Sequence, residues 1–132
     1  MSLTDLLVEL EAAKDSKKAG PMEAYMRHQF FFLGIAALER NALYKKYFPK
    51  AKKTKIIDWD FVDTCWRKEP REYQYVAANY LKAMQSYLTE NDLPKLERLV
   101  VTKSWWDTVD ILDRVVGSLV YDYPELEEII LK

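Results

Sequence analysis

Trp106, Asp110, Asp113 and Gly117 recur at intervals of three and four residues, so on a helix turning 100° per residue they share one stripe. A second stripe, Trp105, Val109, Leu112, Val116, Leu119 and Tyr123, falls within about 40° of a common line and reads as the core face. The first stripe is centred roughly 110° from the second, outside the core. Trp106 and Asp110 are therefore neighbours at i, i+4, an indole beside a carboxylate. Such a pair offers negative potential, suited to a positively charged or electron-poor group. A plainer reading stands beside it: Asp110 pairs with Arg114 as a surface salt bridge, and Trp106 packs against a neighbouring helix. Asp113 reads as a solvated residue, with a second functional carboxylate as the alternative.

Other chemistries are poorly equipped. The chain has one cysteine, Cys65, and one histidine, His28, too few for a zinc site, an internal disulfide or a Cys/His nucleophile. No metal and no cofactor is expected, and His28 reads as structural or exposed. At 132 residues, 31% charged and net charge −1, the sequence describes one globular unit, residues 1–132. It contains no apolar run of the ~18 residues that cross a bilayer and no signal-peptide pattern, so a cytoplasmic protein without membrane contact is expected. The near-neutral total hides an asymmetry: residues 1–87 carry 15 Lys+Arg against 11 Asp+Glu, and residues 88–132 carry 5 against 10. A nucleic-acid partner is not excluded, because binding depends on where charge lies. Lys45, Lys46, Lys50, Lys52, Lys53 and Lys55 lie in a stretch free of acids from 41 to 57, read as a solvated loop that can add phosphate attraction.

The elements that must position these residues are helices. Glycine is scarce and apolar spacing is helical almost throughout. Leu3, Leu6, Leu7, Leu10 and Ala13 mark a first helix, ended by Lys14 to Gly20; Pro21 fits the first turn of a second, and Phe30 to Ile35 reads as a buried corner around Gly34. Leu38 to Phe48 forms a third, stopped by Pro49. Asp58 caps a helix carrying Phe61, Val62, Cys65 and Trp66, and Pro70 opens another carrying Tyr73, Val76, Ala77, Tyr80, Leu81 and Met84. A short helix from Pro94 and a long one capped by Ser104, running from Trp105 to about Tyr123, repeat this short-long pairing at an offset of 32 residues. The expected fold is all-α, an α-solenoid of antiparallel helix pairs of the HEAT-like or ARM-like kind. Glu125 to Lys132 starts a further amphipathic helix with Leu126, Ile129, Ile130 and Leu131 apolar. Its stripe has no partner in sequence, so a chain truncated at its C-terminus, or one that self-associates through this helix, is expected.

Three segments resemble those of one family. The run from Leu99 to Asp110, with Ser104-Trp105-Trp106-Asp107-Thr108-Val109-Asp110 at its end, is similar to the signature of the AlkD-type DNA alkylation repair enzymes, DNA glycosylases built from HEAT-like repeats. Met22 to Ile35 resembles that family's N-terminal aromatic block, and Pro70-Arg71-Glu72-Tyr73-Gln74 its Arg-Glu-aromatic-Gln turn. The resemblance implies hydrolysis of the N-glycosidic bond of cationic alkylpurines, such as 3-methyladenine and 7-methylguanine, in alkylated double-stranded DNA. It implies catalysis by Asp110 and Trp106 without flipping the base from the helix, in contrast to most glycosylases. Thr102, Lys103 and Ser104, at the start of the long helix, suit phosphate, with helix capping as their alternative. Tyr25 falls in the block that the family places near DNA, with a core role as its alternative.

The sequence also departs from the family. Later repeats of family members supply an arginine and a tryptophan that complete the cleft, and neither position exists here. Ala37-Leu38 stand where the family usually has Thr-Pro. By itself the chain is expected to be weak or inactive. The competing expectation is a non-catalytic helical-repeat module that binds DNA or a protein through its concave face, since solenoids host many functions.

Overall fold

A computed structural model describes residues 3–103 and 106–122, and within them all regular structure is helical. The expected cap at Ser104, the Trp105 and Tyr123 ends of the core stripe and the helix from Glu125 lie outside the described residues. Seven α-helices follow in order: α1 Leu3–Ala12, α2 Ser16–Tyr25, α3 Ala37–Lys53, α4 Trp59–Arg67, α5 Arg71–Ala83, α6 Leu93–Val101 and α7 Trp106–Asp122. Two short 3₁₀ turns, Gln85–Tyr87 and Glu90–Asp92, link α5 to α6.

The helices form a solenoid-like stack. α5 packs on α3 and α7 on α5, making one row, while α1, α4 and α6 flank α3, α5 and α7 in turn. The pairs recur at the expected scale: α4 and α6 begin at 59 and 93, α5 and α7 at 71 and 106. One continuous core runs through the stack, from Leu6 and Leu10 of α1 through Phe48, Tyr80 and Leu81 to Leu96, Leu112 and Leu119. Tyr80 closes edge-on against both Phe48 and Phe61, and its hydroxyl accepts the Asp58 N–H at 2.9 Å. Asp58 also caps α4, as its position predicts, accepting from Phe61 N at 3.0 Å.

Prolines mislead at two places. The expected break from Lys14 to Gly20 is only residues 13–15 long, because Asp15 accepts from Lys17 N at 3.0 Å and starts α2 at Ser16. Pro21 consequently sits inside α2 instead of in its first turn. Pro49 likewise lies within α3, which runs four residues further to Lys53. Each proline removes one backbone bond, and each is exposed, so solvent can satisfy the freed carbonyl. The lysine loop is thus the end of a helix, with Lys50, Lys52 and Lys53 in its last turn, where the macrodipole favours cations.

Residues 26–36 form the irregular strap between α2 and α3. Arg27 and His28 adopt positive φ, and Gly34 has φ +93. A Cβ at Gly34 would lie 1.9 Å from the Asp15 carbonyl oxygen, so glycine is required there. The strap is not the wholly buried corner expected, since Phe31 is 63% exposed. What it buries is backbone: Glu23 accepts the Phe32 N–H at 3.0 Å, and Glu72 accepts those of Leu33, Gly34 and Ile35 at 2.8, 2.9 and 3.0 Å.

Candidate functional site

The N-terminal part of α7 is held by α5. Tyr73, Val76, Ala77, Ala78, Tyr80 and Leu81 leave α5 apolar on nearly every side, and Arg71, Glu72, Tyr73 and Gln74 are all buried. Burying charge on such a helix demands partners. Glu72 finds the strap; Gln74 donates to the carbonyls of Cys65 and Lys68 at 3.0 and 2.8 Å, closing the end of α4. Arg71 reaches α7. Its Nη2 meets Asp107 Oδ1 at 2.7 Å and donates to Thr108 Oγ1 at 2.9 Å, while Nη1 donates to the Lys103 carbonyl at 2.6 Å. The guanidinium also lies 3.8 Å from the centroid of the Phe30 ring.

This anchorage rotates α7. Its buried residues are Thr108, Leu112, Val115 and Leu119, with Val109 and Val116 only half-buried. The core line is therefore turned by about 50° from the apolar stripe read in the sequence. Val115 and Thr108 are buried where that stripe had Val109 and Val116, and the Thr108 hydroxyl is satisfied by Arg71, so a polar residue joins the core. Asp110, Asp113, Arg114 and Gly117 are exposed, nearly opposite the core instead of beside it. Among the described ion pairs none joins Asp110 to Arg114. Trp106 opens α7, and its side chain lies outside what the structure describes.

A cavity of about 420 Å³ meets α7 at Asp107. It is lined by Pro21, Met22, Tyr25, Met26, Phe32, Ala36, Ala37, Arg40, Tyr75 and Asp107. Asp107 lies between the core of α7 and Asp110, about 60° round the helix from Asp110 and less than a turn before it. Tyr25, 72% exposed, stands in the same wall system. Deeper in, the Tyr75 hydroxyl donates to Asp107, and Arg40 lies 4.6 Å over the Tyr75 ring. Burial first, and the bond to Asp107 second, push the Tyr75 phenol above its usual range. Arg40 spends Nη1 on the Ile35 carbonyl at 2.7 Å, and its Nε has no hydrogen-bond partner among the described residues. The cavity thus combines apolar and aromatic walls with a few polar groups, the usual make-up of a ligand site.

The turn before α7 is tied inward. Thr102 is exposed, but its hydroxyl donates to the Arg98 carbonyl at 2.7 Å, and its own carbonyl accepts from Trp66 Nε1 at 2.9 Å. Lys103, at φ 53, donates its ammonium to the Lys68 carbonyl at 2.9 Å. Burial lowers its pKa, and the nearby Arg71 charge adds to that. Ser104 lies outside the described residues. His28 is exposed, and no group of three or more His, Cys, Asp or Glu is placed to hold a metal among the described residues. Nor is any helix there long and apolar enough to cross a membrane.

Tyr25 and Asp110 were singled out in the sequence; Tyr25 lines the cavity, whereas Asp110 is exposed on α7 and is not among the lining residues. Asp107, Tyr75 and Arg40 were not singled out. Their signal was the all-round apolarity of α5: a helix without a solvent face must pair every charge it carries, which points from Arg71 to an acid on a neighbouring element.

The family model of the DNA alkylation repair enzymes matches residues 6–132. A solved structure described as a predicted DNA alkylation repair enzyme from Enterococcus faecalis is similar, with 32% identity and a TM-score of 0.74. The alignment covers 86% of this chain and 54% of that one, so the chain spans about half the length of that protein. No curated protein matches the chain.

Proposed function

Because the chain belongs to the DNA alkylation repair enzyme family, we propose that it carries part of the cleft of an AlkD-type glycosylase releasing cationic alkylpurines from duplex DNA. The observation that supports this reading most is the placement of Asp110. Its carboxylate is exposed and outside the described ion pairs, three residues on from Asp107, which with Tyr25 lines the cavity.

The chemistry suits such sparse equipment. Methylation at N3 or N7 makes the base a cation and a good leaving group, so no acid is needed to protonate it. What remains is to stabilise an oxocarbenium-like sugar and orient water. A carboxylate about 4 Å from that developing charge contributes ~4 kcal/mol at an effective dielectric of ~20, a rate factor on the order of 10³. Asp110 takes this role, and the Trp106 π-face adds a further ~1 kcal/mol of attraction. Tyr25 lies against the DNA, and Thr102, Lys103 and Ser104 approach phosphates once Lys103 leaves the Lys68 carbonyl. The base stays in the duplex. The whole is a single helical-repeat unit over residues 1–132, acting in the cytoplasm.

The test is release of free 7-methylguanine from alkylated duplex DNA by this chain, by a form extended with further repeats, and by the Asp110→Asn variant of each. Release by a parent but at least 100-fold less by its variant is expected. If none releases base while all bind DNA with strong salt dependence, the chain is a binding module.

A further inference from the structure

Asp110 lies three residues beyond Asp107, where a chain of contacts that begins in α5 ends. We propose that Arg71 and Asp107 are positioning residues, a fully buried guanidinium paired with a part-buried carboxylate that fixes the first turn of α7 so that Asp110 presents its carboxylate at one place; the inference rests on the glycosylase reading above. The guanidinium is a rigid planar group, and it is fully buried. It bonds to points on both sides of one turn: the Lys103 carbonyl before α7, and Asp107 and Thr108 within it. The backbone N–H of Arg71 is itself fixed to the Phe31 carbonyl at 2.6 Å. Tyr75, one turn further along α5, donates to the same Asp107. Asp107 Oδ1 also accepts the Thr108 N–H at 2.7 Å, so the carboxylate serves the free N–H end of the helix as well. Two residues of α5 thus grip one residue of α7, which can neither slide nor turn without breaking bonds at both places.

A buried ion pair whose hydrogen bonds are satisfied is close to neutral for stability when compared with well-packed apolar groups. Its distinctive effect is geometric. Asp110 follows Asp107 by three residues on the same helix, about 4.5 Å along the axis, so any shift of the first turn moves the carboxylate with it. A retreat of about 1 Å, from about 4 to about 5 Å from the sugar cation, slows the reaction about fourfold at an effective dielectric of ~20. Where the attacking water is misplaced too, the loss reaches about 100-fold.

The discriminating variant replaces both members by apolar residues, Arg71→Met with Asp107→Leu, because deleting one alone leaves a buried charge and can unfold the protein. Tyr75→Phe, which removes only one bond to Asp107, is the milder companion. Three quantities are measured for the parent and both variants: melting temperature, affinity for a duplex containing a tetrahydrofuran abasic analogue, and single-turnover release of 7-methylguanine. The double variant is expected to fold, with release slowed between about fourfold and 100-fold and by a larger factor than its affinity for that duplex falls. Unchanged release, or release and affinity falling by the same factor, would overturn the positioning role. If the parent releases no base, the glycosylase reading fails separately, and the positioning claim is decided by the amide resonance of Asp110 and the indole resonance of Trp106. Both must shift in the double variant and in Tyr75→Phe; if they stay in place, the claim is refuted.

Discussion

Glu72 is the carboxylate whose removal the structure prices most directly. It is fully buried, and its two oxygens divide three backbone donors: Oε1 takes Leu33 N, and Oε2 takes both Gly34 N and Ile35 N. Glu72→Gln keeps the shape and replaces one oxygen by an amide donor. The arrangement of least loss keeps oxygen at Oε2 and sets the new NH₂ against Leu33 N–H. One charge-assisted bond disappears, at about 1.5–3 kcal/mol, and a part-buried donor is left facing another donor, at about 1–3 kcal/mol. The lower desolvation cost of the neutral amide offsets part of this. The net destabilisation is about 3 kcal/mol, or about 10 °C in Tm for a domain of this size. Glu72→Ala orphans all three N–H groups and empties the site, for about 5 kcal/mol. Glu23, half-buried and among the described residues bonded through its side chain to Phe32 N alone, is the internal control at about 1 kcal/mol for Glu23→Gln. Urea unfolding with a common m-value reads all three. A Glu72→Gln protein within about 0.5 kcal/mol of the parent would mean that burying the carboxylate costs as much as its bonds return, and the reasoning from donor count would fall.

Three more outcomes follow from single residues. Gly34→Ala forces a Cβ to 1.9 Å from the Asp15 carbonyl at a φ of +93, so a loss of at least about 3 kcal/mol, or failure to fold, is expected in thermal unfolding; a Tm equal to the parent's contradicts the strap geometry. Cys65 is buried, and desolvation pushes its thiol from 9.0 to about 12. The native thiol stays protonated while the unfolded one ionises, so its contribution to stability is intact below pH 9 and is lost as the pH rises through about 12; Cys65→Ala should flatten the alkaline decline in urea titrations, and iodoacetamide should label Cys65 at pH 8 only on unfolding. Tyr25→Ala, at an exposed position, should leave Tm within about 2 °C yet weaken binding to abasic-analogue duplex about fivefold, as loss of one aromatic contact does; unchanged affinity would move Tyr25 out of the interface.

The class of fold was legible because apolar spacing reports burial directly. Leu6, Leu7 and Leu10, or Phe61, Val62, Cys65 and Trp66, lie in the core as their spacing says. Boundaries set by proline were not legible, since exposed positions such as Pro21 and Pro49 tolerate one lost bond and neither helix stops. The orientation of α7 escaped for another reason. Counting apolar residues leaves Thr108 off the core stripe, and a partner more than thirty positions away in sequence, Arg71, satisfies its hydroxyl inside the core. The site shows the same division. Asp110 stood out as a carboxylate off the apolar stripe, and the rotation of the helix makes it more exposed than that reading required. Asp107, adjacent in sequence and equally acidic, gave no local sign of its opposite fate, because its burial is decided by Arg71 and Tyr75 on another helix.

Helical repeats that touch only their neighbours can unfold piecemeal, each unit leaving at its own temperature. The stretch from Arg71 to Gln74 removes that freedom. Within it Arg71, Glu72 and Gln74 reach the strap at 31–35, the end of α4 at 65 and 68, and the turn into α7 at 103–108. Detaching any one layer leaves unpaired charge or amide inside the other two, a state costing several kcal/mol. The three layers consequently share one fate. Calorimetry should find a single transition, with equal van't Hoff and calorimetric enthalpies, and the slowest-exchanging amides should cluster around α5 and not at either end of the stack.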